Sequence, residues 1–162
     1  MDIMRRAGIE VIMAGTAGDP VEGRNKIKVL TDVSLDSVKD KDFDMIVLPG
    51  GAVGTENLKK DPRIKEIVER MYKKGKFTTA ICAAPTVLSA IGITAGKSVT
   101  SHPGVRDILK KEKISEERVV VDGNIVTSQG PGTAIEFAFK LVELLLGKDK
   151  AAEVNKGVLA RI

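Results

Sequence analysis

Cys82 is the only cysteine in this 162-residue chain, and His102 is the only histidine. Cys82 lies between Thr79-Ala80-Ile81 and Ala83-Ala84-Pro85. The first triplet ends an apolar run and the second opens a helix. A strand-to-helix turn with small residues beyond it pushes one side chain up into a crevice, as a nucleophile elbow does. N–H groups at the start of that helix stabilise negative charge on a sulfur or on an oxyanion. The same position also suits a small buried hydrophobe, the usual role of an isolated cysteine. His102, followed by Pro103, closes a strand of its own. Near the thiol, an imidazole acts as base or holds a thiolate as an ion pair; away from it, a lone histidine in a turn is structural. Gly50-Gly51 lets main chain come close to a ligand. The N–H groups of Gly51 and Ala83 would then form a two-donor oxyanion hole, with Gly50 supporting the loop. A tight turn without a ligand is the competing reading.

Two other glycine-rich stretches carry weaker signals. Gly92-Ile93-Thr94-Ala95-Gly96-Lys97-Ser98 is one residue short of a phosphate loop and runs from helix into strand, the reverse of the required context. Gly130-Pro131-Gly132-Thr133 opens a helix. It suits an anion there, although a plain helix start with Thr133 near the cap explains it as well.

The elements that must position these residues follow from the apolar pattern. Strands are predicted at Ile9–Ala14, Ile27–Leu30, Met45–Leu48, Phe77–Ile81 and Val99–Ser101. A hairpin is predicted at Arg118–Val121 and Ile125–Ser128, around Asp122-Gly123-Asn124. The run Met45-Ile46-Val47-Leu48 has no polar alternation, which predicts a strand buried on both faces of a parallel sheet. Asp61 to Lys74 is the clearest helix: Asp61 caps it, Pro62 sits in its first turn, Ile64, Ile67, Val68 and Met71 form one stripe, and Gly75 stops it. Helices are also predicted at Met1–Ala7, Leu35–Lys39, Ala84–Ile91, Val105–Lys111, after Gly130-Pro131-Gly132 to about Leu146 with Ile135, Ala138, Phe139, Val142 and Leu145 inward, and at Lys148–Val158. Strands alternating with helices imply an α/β sandwich with a mostly parallel sheet. In such folds ligands bind at the C-terminal strand ends, where the Gly50, Cys82 and His102 loops all fall.

Length and composition bound the rest. Hydrophobic residues make up 43% of the chain and charged residues 30%, the balance of a folded domain. The length suits a single domain spanning 1–162. One cysteine excludes an internal disulfide, and one histidine leaves no cluster for zinc, so no metal or cofactor is expected. The net charge of +4 is scattered and aromatics are 3%, which argues against nucleic-acid binding. No apolar run approaches a membrane span. The thiol count fits a reducing, cytoplasmic setting. The chain opens inside a helix with no strand before it, although a doubly wound sheet normally opens with a strand. About 20–25 residues are therefore expected to be missing, with the first strand among them.

Together these motifs resemble the ThiJ/PfpI superfamily, in its Parkinsonism-associated deglycase branch. The resemblance rests on Asp44-Met45-Ile46-Val47-Leu48-Pro49-Gly50-Gly51, Ala80-Ile81-Cys82-Ala83-Ala84-Pro85, Thr100-Ser101-His102-Pro103 and Thr127-Ser128-Gln129-Gly130-Pro131-Gly132-Thr133, with Asp2-Ile3-Met4-Arg5-Arg6-Ala7-Gly8 at the start. It implies a flavodoxin-like three-layer sandwich and a homodimer. It implies Cys82 as nucleophile and oxidation-sensitive thiolate, His102 nearby, and N–H donors at Gly51 and Ala83. The branch implies a cofactor-independent glyoxalase acting on methylglyoxal, or a deglycase acting on glyoxal adducts of proteins and nucleotides. A redox-sensing holdase chaperone is the alternative. An intracellular cysteine peptidase is a more distant one, because that branch places a histidine where Ala83 stands. The family's glutamate beside the thiol precedes Met1 in this numbering, so an unfilled slot in the sheet and low activity are expected.

Overall fold

The computed structural model describes residues 1–161. Helix α1 (Asp2–Arg6) buries Ile3 and Met4 and ends at Gly8, whose φ of +84° suits glycine. Of the strand predicted at Ile9–Ala14, only the end pairs: β1 is Ala14–Gly15. The Asp32 carboxylate holds the preceding segment by accepting the Met13 N–H at 2.7 Å, and that bond keeps its pKa below the ordinary carboxylate value. An exposed antiparallel ribbon follows, β2 (Val21–Glu22) with β3 (Lys28–Val29), shorter than the predicted Ile27–Leu30 strand because neither of its faces meets a core. Then β4 (Val33–Ser34) returns parallel to β1, with Ala14 opposite Val33.

A 3-10 turn at Leu35–Ser37 leads to β5 (Met45–Leu48), α2 (Ala52–Lys60) and α3 (Pro62–Lys73). Next come β6 (Phe77–Ile81), α4 (Pro85–Ile91) and β7 (Ser98–Val99). Where a helix is predicted at Val105–Lys111, the chain makes a 3-10 run at Pro103–Ile108 instead, followed by the short β8 (Lys113–Ile114), parallel to β7. The hairpin is β9 (Val119–Asp122) and β10 (Ile125–Ser128), and α5 (Ala134–Leu146) and α6 (Lys148–Val158) complete the fold.

The main sheet has the order β5-β6-β10-β9, parallel except for β9. One face packs on α3 and α4 through Ile64, Ile67, Val68, Met71, Val87 and Leu88. The other packs on α1 and α5 through Ile3, Met4, Phe137, Phe139, Leu141 and Val142. That makes three layers, and β6 buries Thr78, Thr79 and Ala80 completely between them. On α5, Ala138, Phe139 and Val142 face inward as predicted and Leu145 packs partly buried on the same core; Phe137 and Leu141 join them, whereas Ile135 is 51% exposed.

α3 has the termini its sequence predicts. The Asp61 carboxylate accepts the Arg63 N–H at 3.0 Å, and Pro62 occupies the first turn. The Arg63 guanidinium also clamps Asp61 and Asp36 and donates to the Thr16 carbonyl, tying the loop after β1 to the helix start. Arg63 holds the Asp61 carboxyl below its ordinary pKa, chiefly through their hydrogen bond. A carboxyl depressed in the folded state stabilises the fold above its unfolded pKa and loses that contribution as pH falls through the folded value. Asp61→Ala is therefore expected to cost about 1–2 kcal/mol at pH 7. The difference from the parent should shrink below about pH 4, as read from urea midpoints at both pH values.

Candidate active site

Three loops meet at the C-terminal ends of β5, β6 and β7. β6 ends at Ile81, and Cys82 follows with a φ of +66°, a left-handed conformation rare for a residue with a Cβ. Two main-chain bonds force it there. The Cys82 N–H donates to the Ser128 carbonyl at the end of β10, at 2.9 Å. The Cys82 carbonyl accepts the His102 N–H, also at 2.9 Å. The corner is thus fixed between two neighbouring loops, and surrounding structure of this kind holds a strained residue in place. The thiol is half-exposed, so the fully buried hydrophobe reading does not describe it.

Gly50 and Gly51 have different reasons to be glycine. A Cβ on Gly50 would lie 2.5 Å from the Cys82 Cβ, 2.9 Å from the Ile81 carbonyl oxygen and 3.2 Å from the Cys82 Sγ. The Gly50 main chain therefore lies directly against the thiol. Gly51 has open space around it but a φ of +94°, which turns the chain into α2. Ala83 is buried at the corner itself. Among the described residues, neither the Gly51 nor the Ala83 N–H donates to a protein acceptor. Ala83 directly follows Cys82 and Gly51 directly follows Gly50, so each of the two loops at the thiol carries one unclaimed main-chain donor.

His102 is exposed. Its Nδ1 accepts the Gly104 N–H at 3.1 Å, capping the 3-10 run that follows. In the neutral ring the proton is then assigned to Nε2. The main chain of His102 is joined to Cys82. No hydrogen bond links the imidazole to the Sγ among the described residues.

Thr133 supports the corner from behind. Thr133 Oγ1 accepts the Gly130 N–H at 3.1 Å, donates to the Gly130 carbonyl at 2.9 Å and lies 2.6 Å from Ser128 Oγ. It ties the start of α5 to the residue whose carbonyl holds Cys82. Gly130 in turn lies against the His102 ring. The stretch Gly130-Pro131-Gly132-Thr133 was visible as a helix start, but its link to Cys82 depends on β6 and β10 being adjacent. The stretch Gly92–Ser98 runs from α4 into β7, as its order predicts. Among the described residues no three metal-binding side chains converge, and no helix is long and apolar enough to cross a membrane.

A mostly parallel three-layer sheet carrying a strained cysteine corner at its C-terminal edge defines a class of cysteine-centred α/β proteins. Within it, the chain belongs to the DJ-1/PfpI family, whose model matches residues 1–144. It is 43% identical to the Parkinson disease protein 7 homolog of Danio rerio, over 99% of this chain and 88% of the relative. It is 41% identical to the glutathione-independent glyoxalase DJR-1.2 of Caenorhabditis elegans, over 96% of this chain and 83% of the relative. The crystal structure of Drosophila melanogaster DJ-1beta superposes with a TM-score of 0.96 at 41% identity, covering 99% of this chain and 88% of that one. The fold is flavodoxin-like, as expected.

Proposed function

We propose that this chain is a cofactor-independent glyoxalase that uses the Cys82 thiolate to convert methylglyoxal to lactate. The observation that carries the reading is the Cys82 corner: a half-exposed thiol at φ +66°, with Gly50 main chain against it. The similarity to a relative named as a glyoxalase supports the same substrate class.

The chemistry balances without a cofactor. The thiolate adds to the aldehyde carbon; a C–S bond forms and the carbonyl π pair moves to oxygen. The Gly51 and Ala83 N–H groups meet that oxyanion. The former aldehyde carbon then loses its proton and the neighbouring carbon gains one, through an enediol. The hemithioacetal becomes a lactoyl thioester, so one carbon is oxidised as its neighbour is reduced. Water hydrolyses the thioester, releasing lactate and restoring the thiol. His102, with Nδ1 occupied by Gly104, serves as a hydrogen-bond donor through Nε2. Early glyoxal adducts on protein or nucleotide amino and thiol groups present a similar carbon and form the second substrate class, the deglycase reaction. The acting unit is a homodimer: Val21, Ile27, Val29 and Leu30 leave an apolar ribbon exposed that a second copy would cover.

Because Cys82 is the only thiol, iodoacetamide modifies one known sulfur. Lactate formation from methylglyoxal is expected to fall to background as that alkylation, followed by mass spectrometry, goes to completion. Lactate production by the fully alkylated protein would discard the mechanism.

A further inference from the structure

Two chains of hydrogen bonds meet at Thr133 Oγ1. One runs to the thiol: Thr133 Oγ1 lies 2.6 Å from Ser128 Oγ, and the Ser128 carbonyl accepts the Cys82 N–H at 2.9 Å. The other runs to the imidazole: Thr133 Oγ1 accepts the Gly130 N–H at 3.1 Å, and a Cβ on Gly130 would lie 3.8 Å from His102 Cδ2. On its opposite edge the same ring is held through Nδ1 by the Gly104 N–H. Ser128, Gly130 and Thr133 are all buried, so water does not compete for the bonds among them.

The hydroxyl protons can be counted. Ser128 and Thr133 each carry one, and at 2.6 Å one hydroxyl donates to the other. If Ser128 donates, the Thr133 proton goes to the Gly130 carbonyl at 2.9 Å, and the Arg118 carbonyl keeps the Gln129 N–H at 3.3 Å. If Thr133 donates, the Ser128 proton goes to the Arg118 carbonyl at 2.9 Å, and the Gly130 carbonyl keeps the Thr133 N–H at 2.9 Å. Every group is satisfied in both orders. In both, the Thr133 oxygen bonds Ser128 and the Gly130 N–H together. A methyl in its place leaves that buried N–H without an acceptor and releases both arms at once.

We infer that Thr133 is a positioning residue that sets the Cys82 thiol and the His102 imidazole relative to each other. The two side chains share no hydrogen bond among the described residues. Their direct link, from the His102 N–H to the Cys82 carbonyl, is main chain and fixes neither the sulfur nor the ring. The Thr133 arms supply what that link lacks, one behind the corner that carries the sulfur and one against the ring. The catalytic consequence rests on the function proposed above: a misplacement of about 1 Å between reacting groups costs on the order of 100-fold in turnover.

Thr133→Val removes the hydroxyl at nearly constant shape, and Thr133→Ser keeps it. The readouts are the iodoacetamide rate at the single thiol, the ring-proton NMR resonances of the single histidine, and methylglyoxal kinetics. Thr133→Val is expected to change the alkylation rate by roughly threefold or more, to shift the ring resonances, and to lower kcat about tenfold with KM held within about twofold. Thr133→Ser should restore all three. Ser128→Ala cuts only the thiol arm, so it should change the alkylation rate and leave the ring resonances in place; it decides the matter if Thr133→Val does not fold. The inference is overturned if Thr133→Val lowers the melting temperature but leaves the alkylation rate and ring resonances parental, or if Thr133→Ser fails to restore them. It is also overturned if Ser128→Ala leaves the alkylation rate parental or moves the ring as far as Thr133→Val does. A parent chain that makes no lactate while the alkylation and ring responses appear overturns the functional reading and supports this inference.

Discussion

Gly50→Ala is expected to lower methylglyoxal turnover on the order of 100-fold and to destabilise the fold by about 1–3 kcal/mol. The cause is space, not backbone conformation. The added methyl would lie 2.5 Å from the Cys82 Cβ and 2.9 Å from the Ile81 carbonyl oxygen. Neither neighbour is the end of a flexible side chain. Cys82 is held by the Ser128 carbonyl and the His102 N–H, so relief must come from moving the corner or the Gly50 loop. Either movement shifts the sulfur relative to the donors that would meet an oxyanion. Gly51→Ala is the internal control. It carries the strain of a φ of +94° but has nothing within 4 Å of the new methyl, so it costs stability without pushing on the sulfur. Iodoacetamide kinetics at the single thiol separate the two: the rate should change with Gly50→Ala and hold with Gly51→Ala. A Gly50→Ala protein with parental melting temperature and parental alkylation rate would show that the loop does not constrain Cys82.

The same corner explains which parts of the molecule were legible in the sequence. Phe77–Ile81 is a strand covered on both faces, and Met45–Leu48 declares itself by its apolar run, although Val47 is 40% exposed and the predicted burial on both faces is incomplete there. α3 declares itself through Asp61, Pro62 and one apolar stripe. The hairpin does so through Asp122-Gly123-Asn124, where Gly123 takes a φ of +63°. α2 gives no such signal. It buries only Thr55, contains Gly54, and has no side-chain cap. Its helical state comes from the turn at Gly51 and from packing on α3 and α4, neither of which is local in sequence. The Ile9–Ala14 run is apolar enough for a strand, but a strand needs a hydrogen-bonded partner along its length, and β4 pairs with only its last residue and Gly15. At the site, the chemistry-bearing side chains were legible by type. Their mutual placement was not. That the His102 main chain holds Cys82 while its ring caps its own turn depends on a loop after β7 meeting one after β6. No spacing rule encodes that meeting. Thr133 was hidden for the same reason: its link to Cys82 passes through Ser128, across β10 and β6.

Replacing Cys82 itself is expected to reverse an ordinary stability ranking. Cys82→Gly and Cys82→Ala should both reduce lactate formation to background, since each removes the proposed nucleophile. At most positions where either residue fits without strain, alanine is the more stable by roughly 0.4–1 kcal/mol, because it restricts the unfolded chain. At φ +66° the balance changes. A Cβ in the left-handed region costs about 1–2 kcal/mol, which glycine does not incur. Both variants lose the Sγ and glycine loses the Cβ as well, so the difference between them is the backbone strain less the contact and unfolded-chain contributions that favour alanine. Cys82→Gly is therefore expected to melt above Cys82→Ala, by a few degrees for a chain of this size. If the alanine variant melts higher, the corner is relaxed in solution and the elbow is not holding the thiol in place. If the glycine variant melts higher and is inactive, the strain of about 1 kcal/mol is the cost of presenting this sulfur at the sheet edge, against the Gly50 main chain. Stability and activity would then be in direct opposition at this one residue.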